Sequence, residues 1–178
     1  MSGAAAPPAQ AVASAPAEAA AHELICPLCA HAGGVMLLRQ HKLRLVRVAS
    51  VLDGSLPAGV QAEALAEPFP AFYRVIWNAH VPEWSDLTEA EQGLCMRAVS
   101  AVERVLRRQL QPSKINLAAL GNMVPHLHWH IVARFDWDSH YPAPIWAAAQ
   151  RPPDTERLAQ LRLRLKACDA ELAAGRWL

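Results

Sequence analysis

The sequence predicts an α+β chain, and three observations carry that reading. His126, His128 and His130 alternate with Leu127, Trp129 and Ile131 in a run that closes on Val132, Ala133, Arg134 and Phe135. That two-residue period belongs to a strand, with imidazoles on one face and apolar side chains on the other. Thr88-Glu89-Ala90-Glu91 has the form of a capping box and opens an apolar stripe with helical spacing. Four shorter runs, at 35–39, 43–49, 72–77 and 114–120, have strand length and an aliphatic or aromatic character.

At 178 residues the chain is one domain with room for a core and at most one tail. A formal charge of +1 gives no general argument for nucleic acid or an anionic membrane as partner. No apolar run approaches the ~20 residues needed to span a bilayer. Four cysteines in a chain of this size do not make a disulfide scaffold, so a reducing, cytoplasmic setting is expected. Residues 1–22 are Ala, Pro, Ser and Gln with one acid and no Lys or Arg. They can bury too little apolar surface to offset their ordering entropy and read as a disordered tail. The tail has neither the features of a signal peptide nor those of a transit peptide.

Taken in order, Cys26-Pro27-Leu28-Cys29 offers two thiols from one tight turn, as half a zinc site, a redox pair, or two small buried residues. Gly33-Gly34 turns the chain into Val35–Arg39 and Leu43–Ala49, a half-exposed hairpin with His41 solvated at its turn. Asp53 to Pro70, with three prolines and two glycines, reads as a long loop with one helical turn at Val60–Ala66. Phe72 to Trp77 is a third strand, ending at Asn78-Ala79-His80.

The capped helix runs to about Leu110, burying Leu94, Cys95, Ala98, Val99, Val102, Val105 and Leu106, and Pro112 stops it. Lys114–Leu120 is the fourth strand, Gly121-Asn122-Met123 a turn, and the histidine run, with Pro125 at its first position, the fifth. An irregular stretch from Asp136 to Pro153 carries Trp137, His140, Tyr141 and Trp146, aromatics that pin it to the body. Asp154 caps a last helix with Leu158, Leu161, Leu165, Cys168 and Leu172 in one stripe, and Gly175 ends it.

A lone histidine on a strand is ordinary, whereas three in register on one face are a site. Two chemistries use such a row. Three imidazoles can bind a catalytic metal with an open position. Alternatively, one imidazole attacks phosphorus while its neighbours position it and the leaving group.

With the motif on a strand behind a capped helix, the chain resembles the histidine triad (HIT) family of nucleotide hydrolases and transferases. The family pattern is His-φ-His-φ-His-φ-φ with φ apolar, which His126 to Val132 matches throughout. Flanking agreement comes from the C-x-x-C start, the strand Arg74-Val75-Ile76-Trp77-Asn78-Ala79-His80, and Leu120-Gly121-Asn122-Met123-Val124-Pro125-His126. The likeness runs from Cys26 to about Trp146 and is nearest to a zinc-containing bacterial branch. It implies a five-stranded antiparallel sheet with a long helix, to which this chain adds a C-terminal helix, and pairing into a homodimer. The division is then a tail at 1–22, a HIT domain at 23–148 and a helical extension at 149–178.

The resemblance also implies roles. His128 attacks the α-phosphate of a nucleotide and becomes a nucleotidyl-histidine, and His130 serves the phosphate oxygens or the leaving group. Asn116 and Asn122 are candidates for ribose or phosphate, beside the plainer reading as turn and strand-end polar residues. Cys26, Cys29, His80 and His126 would bind structural zinc, a closed Cys2His2 shell. The substrate is a nucleotide conjugate, purine by family habit, such as a diadenosine polyphosphate or a nucleoside phosphoramidate. Two rivals stand beside this: a metalloenzyme with zinc on all three histidines, and a nucleotide-binding regulatory module with little turnover.

Three positions depart from the family pattern. Phe72 stands where many relatives have histidine, and Met123 where Ser or Thr donates toward phosphate. The ribose-binding acid falls in the long loop, where Glu67 and Asp53 are the candidates.

Overall fold

The computed structural model describes residues 26–48 and 68–176. The expected tail, the helical turn at 60–66, Asp53 and Glu67 lie outside the described residues. In order the elements are α1 (Pro27–Ala30), β1 (Val35–Arg39), β2 (Leu43–Arg47) and β3 (Phe72–Trp77). A 3-10 turn (Trp84–Asp86), α2 (Glu89–Leu110), β4 (Lys114–Ala118), β5 (His128–Arg134) and α3 (Thr155–Ala173) follow. The strands form one five-stranded sheet in the order β1-β2-β3-β5-β4, and every neighbouring pair is antiparallel.

The capping box at α2 closes as its sequence requires: Thr88 Oγ1 accepts from the Glu91 N–H, and Glu91 accepts from the Thr88 N–H. At the other end Gln111 turns left-handed, with φ 52°, and the chain passes into Pro112. Asp154 caps α3 by accepting from the Arg157 N–H. Gly34 is needed for space, since a Cβ there would lie 2.4 Å from the Arg47 carbonyl oxygen.

Alternation along the strands separates two faces. Leu43, Leu45, Tyr73, Val75, Trp77, Ile131 and Ala133 point to the side covered by α2 and α3. There they meet the α2 stripe and Leu161, Leu165, Cys168 and Leu172 of α3 in one core. Asp169 of α3 also accepts from Arg47 Nε and from the Tyr73 hydroxyl, both at 2.9 Å. The C-terminal helix thus packs into the main core. Phe72, Arg74, Ile76, His128, His130, Val132 and Arg134 share the opposite face.

Several strand boundaries differ from the sequence reading: β2 ends at Arg47 and β4 at Ala118. The fifth strand starts at His128, because His126 and Leu127 spend their N–H groups elsewhere, on the carbonyls of Val124 and Val81. His126 therefore belongs to a turn before the strand.

Candidate functional site

The first cluster sits where three segments meet: the α1 turn, the exit of β3 and the entry to β5. Cys26 Sγ and Cys29 Sγ each lie 3.5 Å from His126 Nδ1, and Cys29 Sγ lies 3.4 Å from His80 Nδ1. All four ligand atoms fall within 4.8 Å of one another. A tetrahedral ion with Zn–S of about 2.3 Å and Zn–N of about 2.05 Å has a sulfur-to-nitrogen edge of about 3.6 Å. The three measured edges match it. Neither cysteine forms a disulfide among the described residues.

His126 is fully buried, and its Nε2 lies 2.6 Å from the Trp77 carbonyl oxygen. A carbonyl can only accept, so Nε2 carries the proton and Nδ1 offers its lone pair to the cluster. Burial lowers the pKa of His126, against the hydrogen bond to Trp77 that raises it, and so favours the neutral ring a metal requires. The turn itself is held by Arg44, which is 3% exposed. Its guanidinium donates to the carbonyls of Leu28 (2.5 Å) and Ala32 (2.9 Å) and to Asn78 Oδ1 (3.2 Å).

One pleat along stands His128. Its Nδ1 lies 2.6 Å from the His126 carbonyl oxygen, and by the same logic Nδ1 is the donor and Nε2 the lone-pair nitrogen. The His130 ring centre is 4.6 Å from that of His128. His130 is walled by Phe72 at 5.4 Å and by the edge of Trp146 at 5.3 Å. Its pKa falls to about 3, first through burial and then through the charges of His128 and Arg74, so the ring is neutral near pH 7.

Beyond His130 the face closes on a buried ion pair. Arg134 is 1% exposed and meets Asp138 through two parallel bonds of 2.8 and 2.9 Å. Burial alone would raise the Asp138 pKa, but Arg134 and the N–H groups of His140 and Phe135 bring it below the usual value. The pair fixes the irregular stretch that carries Trp146. Arg134 also donates to Asn116 Oδ1 at 2.7 Å, so that oxygen is engaged inside the protein. Asn122 is exposed in the turn before the triad, and Met123 beside it is 93% exposed.

Cys26, Cys29, His80 and His126 thus come together in one cluster, and His128 and His130 in the next. Sequence reasoning missed Arg74, Arg44 and the wall that Phe72 and Trp146 make around His130. Arg74 could have been found from the period: it has the parity of Phe72 and Ile76 on a strand destined to lie beside the histidines. Arg44 had no comparable signal, because its acceptors are carbonyls.

A HIT domain model matches residues 66–137. The chain is similar to a histidine triad protein from Bradyrhizobium japonicum, 25% identical over 76% of this chain and 90% of that one, with TM-score 0.53. It is similar in fold to a histidine triad protein from Marinobacter aquaeolei at 21% identity, covering 79% of this chain and 92% of that one, TM-score 0.53. A zinc-bound histidine triad family protein from Mycobacterium smegmatis shares the fold at 18% identity, covering 86% and 99%, TM-score 0.51. No curated protein matches the chain. The triad on its strand and the five-stranded sheet around it agree with the domain match, and the chain carries a HIT domain over residues 66–137.

Proposed function

We propose that the chain is a nucleotide hydrolase or nucleotidyl transferase acting at the α-phosphate of a nucleotide conjugate, purine by family habit, such as a diadenosine polyphosphate or nucleoside phosphoramidate. The observation that carries this reading is the 2.6 Å bond from His128 Nδ1 to the His126 carbonyl, which fixes the tautomer of a nucleophile. His128 Nε2 forms a bond to the α-phosphorus as the bond to the leaving group breaks. The leaving group departs with that electron pair, a polyphosphate as its anion and an amine after taking up a proton. Water then displaces His128, losing its proton to solvent, and the nucleoside monophosphate is released. His130, neutral and one pleat away, gives its N–H to a phosphate oxygen or to the leaving group. Asn122, and Asn116 through the part of its amide that Arg134 does not engage, are the further substrate-binding candidates.

Cys26, Cys29, His80 and His126 would hold structural zinc, which neutralises two thiolates and ties α1 to the ends of β3 and β5. The same cluster speaks against zinc on all three triad histidines, since His126 Nδ1 faces the cysteines. Assembly as a homodimer through α2 and the β4 edge completes the proposal. The alternative, a nucleotide-binding module with little turnover, draws on Met123, whose exposed thioether cannot replace a hydroxyl donor.

His128→Ala should lower turnover by ~10⁴-fold while leaving metal content and fold intact. Acid-labile nucleoside monophosphate should be trapped on His128 when the wild type is quenched during turnover. Near-normal turnover in the variant would sink the reading. A trapped nucleotide without release would select the alternative.

A further inference from the structure

We infer that Trp146 is a platform on which a planar ring of the leaving group stacks, so that the site prefers conjugates with an aromatic departing group over those with an aliphatic one. This rests on the nucleotidyl-histidine reading above, with His130 facing the departing atom. Trp77, Trp84, Trp129 and Trp137 lie in the main core or pack against it, whereas Trp146 is 45% exposed. Its ring centre is 5.3 Å from that of His130, with the two planes at 79°. At that angle the rings do not stack, so at least one face of the indole stays clear of the imidazole. Among the described residues no other ring meets it.

The indole is exposed on a fixed backbone. The Ala147 N–H donates to the Pro144 carbonyl at 3.0 Å, closing a turn with Ile145 and Trp146 at its tip. Ile145 is 2% exposed and buried with Phe72 and Val132, and Arg134 donates to the Ala143 carbonyl at 2.9 Å just before the turn. One tip residue anchors the turn and the other stands half in water beside the reacting row. A ring already held in place loses little freedom when a ligand covers it. In the opposite direction from His128 the row runs back to the α1 turn, where Cys26, Leu28, Val46 and Ile76 are buried together. The face opens past His130 instead, where Trp146 stands. With the His130 N–H on the departing atom, a ring a few bonds further out reaches the indole. A flat ring stacked there buries apolar surface on both partners, and an aliphatic chain covers less of it.

The test uses two adenosine 5′-phosphoramidates that differ only in the departing amine, tryptamine or n-propylamine, in the wild type, Trp146→Ala and Trp146→Phe. The wild type should favour the tryptamine conjugate in kcat/KM, chiefly through KM. That preference should fall about 10-fold in Trp146→Ala and largely persist in Trp146→Phe, which keeps a ring. The tryptamine conjugate titrated calorimetrically onto His128→Ala should bind about 10-fold more tightly than onto His128→Ala/Trp146→Ala. Equal losses on both substrates would mean that Trp146 only walls His130 or meets the adenine they share. An unchanged affinity in the titration would equally overturn the platform. The titration needs no turnover, so the platform can fail while a histidine-bound nucleotide is still trapped, and the reverse.

Discussion

His128 and His130 are two pleat-mates on one strand, yet their surroundings assign them different work. His128 has a carbonyl at Nδ1, which leaves the lone pair on the far nitrogen. His130 is 5% exposed among rings, and its buried Nδ1 has no hydrogen-bond partner among the described residues. Its pKa of about 3 lies below the roughly 6.5 of an unfolded histidine, so between those values the unfolded chain binds a proton that the folded one refuses. Stability therefore rises with pH across that window and is lost as pH falls through it. His130→Phe should flatten this acid loss, read as a smaller drop in melting temperature between pH 7 and pH 4.5. A wild-type slope retained in the variant would place the acid-sensitive group elsewhere. The alternation of the triad was legible in the sequence, because a strand fixes which side chains share a face. The ring wall was not, because Trp146 comes from an irregular segment that tertiary contacts such as the Arg134–Asp138 pair and buried Ile145 fold back.

The α1 turn is too short to hold itself: four residues cannot bury enough to stay folded, and only Leu28 of them is buried. Its order comes from Arg44 behind it and from the Cys2His2 set in front. About one zinc per chain is expected in purified protein. Cys26→Ser or Cys29→Ser should lower both zinc content and melting temperature. Arg44→Met keeps all four ligands but frees the carbonyls of Leu28 and Ala32, and should weaken zinc retention against a chelator about 10-fold. Metal-free protein that melts unchanged would remove the structural role. The Cys2His2 cluster itself was legible from the C-x-x-C spacing together with the resemblance, whereas the arginine behind it was not.

At the scale of the molecule, the sheet among the described residues ends at β1 and β4, and β4 is the edge beside the histidine strand. Around it lie exposed apolar side chains: Leu117 at 38%, Leu120 at 47% and Met123 at 93%. An edge that combines unpaired backbone with apolar side chains favours pairing with another strand. The C-terminal half of α2 is engaged by α3, where Glu171 takes Arg108 and Gln109, so a second copy would use the N-terminal half of α2 and the β4 edge. Light scattering at micromolar concentration should give a dimer mass, and Leu117→Lys should shift it toward monomer. A wild-type monomer would refute the pairing.

Local patterns determined most of the elements. The capping box set the start of α2, Asp154 that of α3, and two-residue alternation the face of the histidine row; each acts over a few residues, so the chain alone encodes it. Tertiary structure decided three things. His126 left the strand because its N–H and that of Leu127 found carbonyls at Val124 and Val81. Asn116, a candidate for substrate, had its oxygen claimed by Arg134, eighteen positions along the chain. Arg74 acquired a place in the site only when β3 paired with β5 and set it against His130. Each of these depends on which distant acceptor or strand arrives as a neighbour, and sheet order, unlike strand period, is not written in any local stretch of sequence.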